Sequence, residues 1–447
     1  MFKEALRLCS PEKFAFDCVE PRAQNTGFAV PRARFDVKLD LSRQSLWVFG
    51  AGKAAASMAK GVLDKLEPQV RGGAVLIPEG VDALGVEPLR VLRGTHPSPT
   101  QKSAQATQTL VSMLKACSPR DHVIFVLSGG ASSLLVDPVD GVSIDQLGRL
   151  SQALLGAGIP IEQINTVRKH LSKVSGGQLL NQVPCEISVF VLSDVCGNDF
   201  SVIGSGPFAK DLSTREQARQ ILRRASEGMP DSLAVADALI ETPKELSRAA
   251  RARHVLVADH AALANVAGEV ARNAGFKSVT VDSRPVTEDL EQLVRRYSQL
   301  IVDSNEPQER LLIFYGEPVV RLPARPGRGG RSQHLGLMLA QTLKGVPGWT
   351  FLAGCSDGVD GTSKFAGCVV DGDSYDRAKR EGIDVDQALE TFNSAEVHEK
   401  LGQALDIGPS GNNLLDLHLL HLVKGLEIRH PHEETDHERH PKRKRQD

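Results

Sequence analysis

Short, mostly apolar segments recur along the chain, and most of them end in a turn of glycine, serine or aspartate. Amphipathic or alanine-rich stretches follow several of these turns. Strand candidates of this kind occupy residues 45–49, 73–77, 123–127, 187–192, 254–257, 311–315 and 349–353. Unbroken apolar strands that alternate with helices indicate parallel sheets covered by helices on both faces. The pattern therefore predicts an α/β fold.

The polar turns after these strands indicate a shared binding site. Ligands of parallel sheets bind beyond the carboxyl ends of the strands, which is where these turns fall. A single turn of glycine and serine would be explained by tight turning alone. Because five or six such turns follow predicted strands, we expect their residues to line one site.

The length of the chain, 447 residues, exceeds that of one ordinary domain, and two domains are expected. A break at residues 226–231 (SEGMPD) and a charged, linker-like stretch at 248–253 lead us to divide the chain into residues 1–245 and 246–425. Residues 426–447 hold four histidines, six basic and six acidic side chains and almost nothing apolar. Such a segment cannot offset its ordering entropy by burial, so we predict a disordered tail.

Composition excludes several classes of partner. Lys and Arg number 53 against 55 Asp and Glu, a net charge of −2, so we expect neither nucleic acid nor a membrane as partner. Seven cysteines without a CxxC pair or zinc-site spacing suit a reducing compartment. Residues 1–20 lack a signal-peptide core, and no apolar stretch reaches 18 residues. We therefore expect a soluble protein of the cytoplasm, with the mitochondrion as the alternative.

The turn at residues 50–55 (GAGKAA) is the first with recognisable chemistry. It fits the loose dinucleotide pattern GxGxx(G/A), with Gly52 as its second glycine, but no acidic residue follows at the distance that NAD binding needs. It also lacks the first glycine and the Ser/Thr of a P-loop. Lys53 would meet the positive end of a helix dipole, which is tolerable if it faces an anion there. The alternative is an ordinary solvated lysine.

Residues 128–133 (SGGASS) also connect a predicted strand to a predicted helix. Successive backbone N–H groups beside small side chains can surround phosphate oxygens. The candidate residues are Ser128, Gly129, Gly130 and Ser132. The alternative is a tight turn with a serine N-cap.

The densest cationic loop spans residues 316–333 (GEPVVRLPARPGRGGRSQ). It carries Arg321, Arg325, Arg328 and Arg331 among glycines that let the backbone approach a ligand. The planar guanidinium suits bidentate contacts with carboxylate or phosphate. Since the chain has no net basic charge, this cluster indicates a small anion, and the alternative is a solvated basic loop.

Carboxylates cluster after two other predicted strands. Asp357 and Asp360 stand three apart among glycines, and Asp194 precedes Asn198 and Asp199 after another strand. Such oxygens suit Mg²⁺ or could act as a base for a hydroxyl group, although Asp-Gly is also a common turn. The sequence shows no Cys or His constellation for covalent catalysis. Phosphoryl transfer fits the combination that it does show: a lysine, loops of glycine and serine, arginines and carboxylates.

These same segments resemble a known family, the class II glycerate 2-kinases, whose C-terminal part is called the MOFRL domain. The matching stretches follow in order along nearly the whole chain except the tail: VFGAGKAAASM (48–58), GTHPSPT (94–100), LSGGASSLL (127–135), NTVRKHLSKVSGG (165–177), LSDVCGNDFSVIGSGP (192–207), residues 316–339, residues 354–367 and GPSGNNLLD (408–416).

The resemblance implies ATP-dependent phosphorylation of D-glycerate at its 2-hydroxyl, giving 2-phosphoglycerate and ADP with a divalent cation. It implies a Rossmann-like parallel-sheet N-terminal domain, a smaller α/β C-terminal domain and an active site in the cleft between them. It further implies that Lys53 and Arg331, or alternatively Arg325, handle substrate and phosphate. A homodimer is also expected.

From the motifs and the resemblance together we assign catalytic roles to Lys53, Arg331 and Asp194, and Mg²⁺ to Asp194 and Asp357. The residues expected to bind substrate or nucleotide are Gly52, His96, Ser128, Gly129, Gly130, Ser132, Asn198, Ser205, Glu317, Arg325, Asp360 and Asn412.

Four positions depart from the usual family pattern. Ser332 and His334 replace an Asn and a Glu, Asn198 replaces an Asp, and Lys364 stands where Asp is common. Lost carboxylates could weaken metal binding or alter nucleotide handling. Two alternatives therefore stay open beside the kinase: a non-catalytic ligand-binding relative, and an NAD-linked hydroxypyruvate or tartronate-semialdehyde reductase suggested by the GxGxxA turn.

Overall fold

The structure is a computed structural model that describes residues 1–195, 197–225, 235–245, 252–303, 309–410 and 414–423. The predicted tail, residues 426–447, and the predicted ligand-binding residue Asn412 lie outside the described residues. The predicted boundary after residue 245 falls at the edge of a range that is also outside them.

The chain begins with two helices and a small antiparallel sheet. These are α1 (Phe2–Leu8), α2 (Pro11–Cys18), β1 (Glu20–Pro21), β2 (Gly27–Val30) and β3 (Phe35–Lys38). The Ser10 hydroxyl accepts the N–H of Lys13 and caps α2, and Pro11 stands at the first helical position, where its missing N–H costs nothing.

Six parallel strands form the first large sheet: β4 (Leu46–Ala51), β5 (Val70–Pro78), β6 (Leu89–Gly94), β7 (His122–Leu127), β8 (Glu186–Leu192) and β9 (Ala252–Ala258). Their order across the sheet is β6-β5-β4-β7-β8-β9. Counted from β4, this is the 3-2-1-4-5-6 order of Rossmann folds. The predicted Rossmann-like domain is therefore confirmed.

Helices cover both faces of this sheet: α3 (Ala55–Leu66) lies on one face, and α4 (Gln101–Lys115) and α5 (Ala131–Leu134) lie on the other. The next three helices pack against one another in a separate core: α6 (Ile144–Gly156), α7 (Ile161–His170) and α8 (Arg215–Arg224). Successive strand residues enter different cores, because side chains alternate across a strand. In β7, Ile124 packs in the core that contains α3, whereas Phe125 packs in the core that contains α4.

The second domain contains the remaining elements: α9 (His260–Asn273), β10 (Val279–Val281), α10 (Leu290–Val302), β11 (Arg310–Gly316), α11 (Arg331–Thr342), β12 (Trp349–Cys355), β13 (Gly367–Asp371), α12 (Ser374–Arg380), α13 (Val385–Glu390), α14 (Ser394–Lys400), β14 (Ala404–Leu405) and β15 (Asp416–Leu422). The strand order is β10-β11-β15-β12-β13-β14. Among the described strands of this sheet only β10 and β11 pair in parallel, so the sheet is mixed, not parallel as the apolar runs indicated.

A shared core joins the two sheets. In β11, Leu311 and Ile313 pack in the same core as α3 and α9, while Leu312 and Phe314 pack under α10 and α11. Strand β9 pairs with β8, so the first sheet extends to Ala258, beyond the predicted boundary after residue 245. None of the helices in the described ranges is long and apolar enough to span a membrane.

Candidate active site

The loops after β4 and β7 meet at the point where the strand order of the first sheet reverses, which is where Rossmann folds bind ligands. The N–H of Lys53 donates to the Gly129 carbonyl at 2.9 Å, and the N–H of Ala54 donates to Ser128 Oγ at 3.0 Å. Gly52 has φ +131°, and a Cβ there would lie 2.2 Å from Ser128 Oγ. The predicted residues Gly52 and Ser128 therefore hold the two loops together.

These hydrogen bonds bear on the dinucleotide alternative. The Gly52 N–H donates to the Leu76 carbonyl, so three successive N–H groups of the GxGxxA turn already have protein acceptors. In a dinucleotide fold this turn and the helix after it hold the pyrophosphate. Glu79, the acidic residue after β5, is paired with Lys102. The geometry thus disfavours NAD at this turn.

Lys53 and His96 meet above Gly130. Lys53 is exposed and forms no salt bridge within the described ranges. Gly130 has φ +82°, and a Cβ there would lie 2.9 Å from His96 Cδ2 and 3.1 Å from Lys53 Cγ. Burial and the charge of Lys53 lower the pKa of His96, so its imidazole is neutral near pH 7. The structure thus brings two predicted site residues together beside the SGGASS loop.

The SGGASS loop presents backbone donors at this place. Within the described part of the chain, the N–H groups of Gly129, Gly130 and Ser132 have no backbone or side-chain acceptor. The predicted residue Ser205 donates its hydroxyl to Ser132 Oγ at 2.9 Å, and its own backbone is left-handed, with φ +64°. The loop therefore has the unpaired donors that a phosphate would need.

Asp194 follows β8 and faces both domains. Burial raises its pKa and the carboxylate of Glu317 raises it further, while its own backbone N–H and Lys53 oppose the rise. Asp194 also lines a cavity whose other walls come from the second domain. The neighbouring Asn198 lies elsewhere, because its Nδ2 donates to Asp259 at 2.7 Å and so supports the carboxylate that caps α9.

Arg331, the first residue of α11, is held by two carboxylates. Its Nε and Nη2 donate to the two oxygens of Asp416 at 2.6 and 3.0 Å, and its Nη1 donates to Glu317 at 2.6 Å. Burial disfavours the cation, but the hydrogen bonds and charge of Asp416, with the charge of Glu317, outweigh it and raise the pKa of Arg331. Arg331 is therefore a fixed cation with one partly exposed partner.

Asp416 is a site residue that the sequence motifs did not single out. It begins β15 and lies opposite both Gly316 and Cys355, the last residues of β11 and β12. Antiparallel pairing brings the amino end of β15 to the carboxyl ends of its neighbours. The available signal was its place directly before the apolar run LHLLHL, at the end of the GPSGNNLLD motif.

Asp360 has a local structural function at the start of α11. Its two oxygens accept the N–H groups of Ser332 and Gln333 at 3.2 and 2.7 Å, so it caps the helix that carries Arg331. It is fully buried, and burial, followed by the charge of Asp416, raises its pKa to about 7. A predicted ligand-binding residue is thereby fixed against the protein's own backbone.

The cleft between the domains contains a cavity of about 490 Å³. Its charged lining includes Asp194, Glu317, Arg331, Asp357, Asp360 and Asp416. Asp357 is exposed, and its Oδ1 accepts the N–H of Val359 at 3.0 Å. Arg325 is outside this lining and borders a neighbouring surface cavity instead.

The carboxylates do not form a ready-made metal cage. The described residues contain no group of three or more His, Cys, Asp or Glu side chains placed to hold an ion. Mg²⁺ usually takes one or two carboxylates together with substrate phosphates, so this arrangement remains compatible with Asp194 and Asp357 as its protein ligands.

The departures from the family pattern have local partners. The Ser332 hydroxyl donates to Asp416 at 3.4 Å. His334 stacks on Phe392 with ring centres 4.0 Å apart, and Lys364 pairs with Glu399 at 2.9 Å. Asp194 and Arg331 line the cleft with these replacements in place.

Comparison with known proteins agrees with this geometry. Residues 1–238 match DUF4147, a domain family of unknown function, and residues 310–416 match the MOFRL family. A D-glycerate 2-kinase from Thermotoga maritima is 34% identical over 386 residues, which is 85% of this chain and 91% of the relative. The chain belongs to the glycerate 2-kinase (MOFRL) family.

The crystal structure of a glycerate kinase from Thermotoga maritima has the same architecture as this MOFRL-family chain. The TM-score is 0.81 at 31% identity, and the match covers 94% of this chain and 97% of that one. One relative, from Agrobacterium vitis, carries the provisional name hydroxypyruvate reductase and is 33% identical over 83% of this chain and 85% of its own length.

Proposed function

We propose that this MOFRL-family chain is a glycerate 2-kinase, which transfers the γ-phosphoryl group of ATP to the 2-hydroxyl of D-glycerate and releases 2-phosphoglycerate and ADP. The observation that carries the proposal is that Asp194 and Arg331 line one cavity between the domains, with Lys53 within electrostatic reach of Asp194. Phosphoryl transfer depends on positioning and charge neutralisation more than on a covalent nucleophile. The kinases among the relatives support the same reaction.

Arg331 suits the anionic end of the acceptor. Asp416 holds two of its nitrogens, whereas Nη1 contacts Glu317, whose side chain is 51% exposed. A glycerate carboxylate or the transferring phosphoryl group can approach the guanidinium on that open side. Because Asp416 fixes the plane of the guanidinium, the ligand need not immobilise it on binding.

Asp194 suits the role of proton acceptor for the 2-hydroxyl. A general base works best when its pKa is close to the working pH, and burial raises the pKa of Asp194 in that direction. Lys53, within electrostatic reach, keeps the carboxylate available in its charged form. In this proposal Lys53 also neutralises phosphate charge.

The ATP phosphates fit the SGGASS loop, where the unpaired N–H groups of Gly129, Gly130 and Ser132 lie beside Lys53. Asp357 would hold Mg²⁺, and Asp194 would join it as a ligand in the alternative to its role as proton acceptor; the ion, when bound, neutralises charge on the phosphates. Asp357 has one oxygen without a protein donor, and Asp194 has no side-chain partner within the described ranges. A homodimer and a cytoplasmic location stay predictions.

The test is a product-resolved assay of the purified protein with ATP, Mg²⁺ and D-glycerate. We expect ADP and 2-phosphoglycerate in equal amounts, distinguished from 3-phosphoglycerate by NMR. No ADP release above background would reject the kinase. Oxidation of NADH with hydroxypyruvate would support the reductase instead, and glycerate binding without turnover would support the non-catalytic relative.

Lys53→Ala tests the assigned cation. We expect turnover to fall at least tenfold, because removing a cation that neutralises transition-state charge costs about 1.4 kcal/mol or more. Lys115→Ala, an exposed lysine in the last turn of α4, is the matched control and should leave turnover unchanged. Unchanged kinetics in Lys53→Ala would remove Lys53 from the mechanism.

A further inference from the structure

A turn at residues 203–206 packs on the SGGASS loop. Three successive residues of this turn have left-handed backbone, with φ of +59°, +64° and +60°, and the middle one is Ser205. A Cβ at Gly204 would lie 3.0 Å from Leu127 Cδ1 and 3.2 Å from Ala131 Cβ. The turn therefore lies directly against the end of β7 and the start of α5, the two elements that the SGGASS loop connects.

Ser205 is the residue of the three that has a side chain. Left-handed backbone favours glycine, which both neighbours of Ser205 are, and a Cβ in this conformation is strained. Strain of this kind persists where the side chain has a function. Ser205 is 4% exposed, and its hydroxyl donates to Ser132 Oγ at 2.9 Å. This hydrogen bond is a reason for serine, and not a third glycine, at the position.

The hydrogen bond leaves Ser132 as a donor. Because its Oγ accepts from Ser205, its own hydroxyl proton can be donated elsewhere, and it has no acceptor within the described ranges. Ser132 is partly exposed, and its N–H is unpaired there too. Together with the N–H groups of Gly129 and Gly130, these donors lie beside Lys53. Unpaired donors next to a cation suit a ligand with several acceptor oxygens, which is an oxyanion.

The motif NTVRKHLSKVSGG, residues 165–177, supports the turn from another side. The N–H of Gly176 donates to the Ser205 carbonyl at 2.9 Å, and the N–H of Gly177 donates to the Gly206 carbonyl at 2.8 Å. These two hydrogen bonds hold the backbone of the turn on both sides of the strained peptide. They give this motif, to which the phosphoryl-transfer chemistry assigned no role, a structural connection to the SGGASS loop.

We propose that Ser205 is a positioning residue that orients Ser132, so that the SGGASS loop presents its N–H and O–H donors to an oxyanion. The sequence motifs predict Ser205 as a residue that binds substrate or nucleotide directly, whereas here it acts through Ser132. The unpaired donors and Lys53 indicate an oxyanion by themselves. Its identity as the phosphates of ATP rests on the proposed kinase function.

Ser205→Ala and Ser205→Gly separate the hydroxyl from the strain. Both variants lose the hydroxyl, but only alanine keeps a Cβ in left-handed backbone. We expect an equal loss of affinity for inorganic pyrophosphate in both, about fivefold, and a higher melting temperature for the glycine variant. Calorimetric titration of the full chain and thermal denaturation measure the two quantities. An affinity that fell only in the less stable variant would overturn the positioning role.

Ser132→Ala tests whether Ser205 acts through Ser132. We expect this variant to lose at least as much affinity for pyrophosphate as Ser205→Gly. The double variant should bind no more weakly than Ser132→Ala alone, because Ser205 then has no hydroxyl left to orient. Losses that multiply in the double variant would mean that the two hydroxyls contact the ligand independently, and would reject the inference.

Ser188→Ala is the matched control. Ser188 is another buried serine, and its hydroxyl is hydrogen-bonded to a side chain at the same distance, 2.9 Å to His122 Nε2. We expect this variant to melt at a lower temperature and to bind pyrophosphate like the wild type. A loss of affinity equal to that of the Ser205 variants would show that any lost buried hydrogen bond weakens binding, which contradicts a specific role for Ser205.

D-glycerate, titrated separately, distinguishes the source of the oxyanion. We expect Ser205→Gly to leave its affinity unchanged, because the proposed function places the carboxylate of the acceptor near Arg331. A loss confined to D-glycerate would overturn the assignment of the loop to phosphate.

Failure of this inference and failure of the proposed function can be told apart. Wild-type protein that binds pyrophosphate and shows the expected pattern of variants, but has no kinase activity, would overturn the proposed function alone. An active kinase whose Ser205 variants bind pyrophosphate like the wild type would overturn the positioning role alone. Wild-type protein without affinity for pyrophosphate would overturn both the oxyanion site at this loop and the positioning role.

Discussion

At the scale of single residues, Asp416 fixes the orientation of the Arg331 guanidinium. It is fully buried and receives two hydrogen bonds from the guanidinium, whereas Glu317 contacts the same group from the partly exposed side. Removing one member of a buried pair leaves an uncompensated charge, which costs far more than losing an exposed partner.

We therefore expect Asp416→Asn to lower the free energy of unfolding by about 3 kcal/mol and Glu317→Gln to lower it by less than about 1 kcal/mol. Urea denaturation of both variants measures the difference. Glu317→Gln is the control for the charge change at the same arginine. Equal losses of stability would show that the two carboxylates contribute alike.

Asp360 predicts a pH dependence of stability. Its pKa is about 7 in the folded protein, against 3.8 in an unfolded chain. Between about pH 4 and pH 7 the folded state therefore holds a proton that the unfolded state releases, and the contribution of this group to stability falls as pH rises. Asn is neutral throughout, so Asp360→Asn removes this slope.

The measurement is the melting temperature of wild type and Asp360→Asn at pH 5 and at pH 8. We expect the melting temperature of the variant, relative to that of the wild type, to be higher at pH 8 than at pH 5. The altered helix cap lowers the stability of the variant by the same amount at both pH values and does not affect this comparison. Burial lowers the pKa of histidines such as His334 and His418, so their contribution to stability rises with pH. This contribution is the same in both proteins and cancels in the comparison. A constant difference between the two proteins would contradict the raised pKa.

At the scale of elements, the contact between the loops after β4 and β7 depends on space as well as on backbone conformation. Gly52 and Gly80 both have positive φ, +131° and +79°. A Cβ at Gly52 would lie 2.2 Å from Ser128 Oγ, whereas a Cβ at Gly80 has nothing within 4 Å. Both positions carry backbone strain when substituted, but only Gly52 adds a collision.

Gly52→Ala should thus destabilise the protein by about 1–3 kcal/mol more than Gly80→Ala and should also lower turnover, because it displaces Lys53 from the SGGASS loop. Chemical denaturation and the kinase assay measure the two effects. Gly80→Ala, with similar strain and open space, should retain turnover. Similar behaviour of the two variants would mean that backbone strain alone matters.

How far the sequence predicted the elements depended on their surroundings. The unbroken apolar runs located β4, β7, β8, β11 and β12 to within about two residues, because these strands are buried on both faces. The predicted list lacked β15, whose two histidines interrupt its apolar pattern. Missing that strand concealed both the mixed character of the second sheet and the position of Asp416, which depends on pairing between distant segments.

At the scale of the whole molecule, the two domains share a core, and we expect them to unfold as one unit. Helix α9 packs in the same core as strands of both sheets. The chain has two tryptophans, Trp47 in β4 and Trp349 in β12, one in each sheet. Each therefore reports on the unfolding of its own domain.

The variants Trp47→Phe and Trp349→Phe each keep one tryptophan. We expect both to give the same denaturation midpoint by fluorescence as by far-UV circular dichroism, as two-state unfolding requires. Leu263→Ala, in the part of α9 buried in the shared core, should lower both midpoints together. Separate midpoints, or a shift confined to one tryptophan, would show that the domains unfold independently.

The central place of β15 has a consequence for biosynthesis. It lies between β11 and β12, so neither neighbour has its full set of hydrogen bonds until residues 416–422 have left the ribosome. The strands of the first sheet are all complete by Ala258, long before that point. A nascent chain can thus pair the strands of its Rossmann-like sheet early, whereas the shared core is completed, and Arg331 gains Asp416, only when β15 has emerged. Catalytic competence is therefore acquired last.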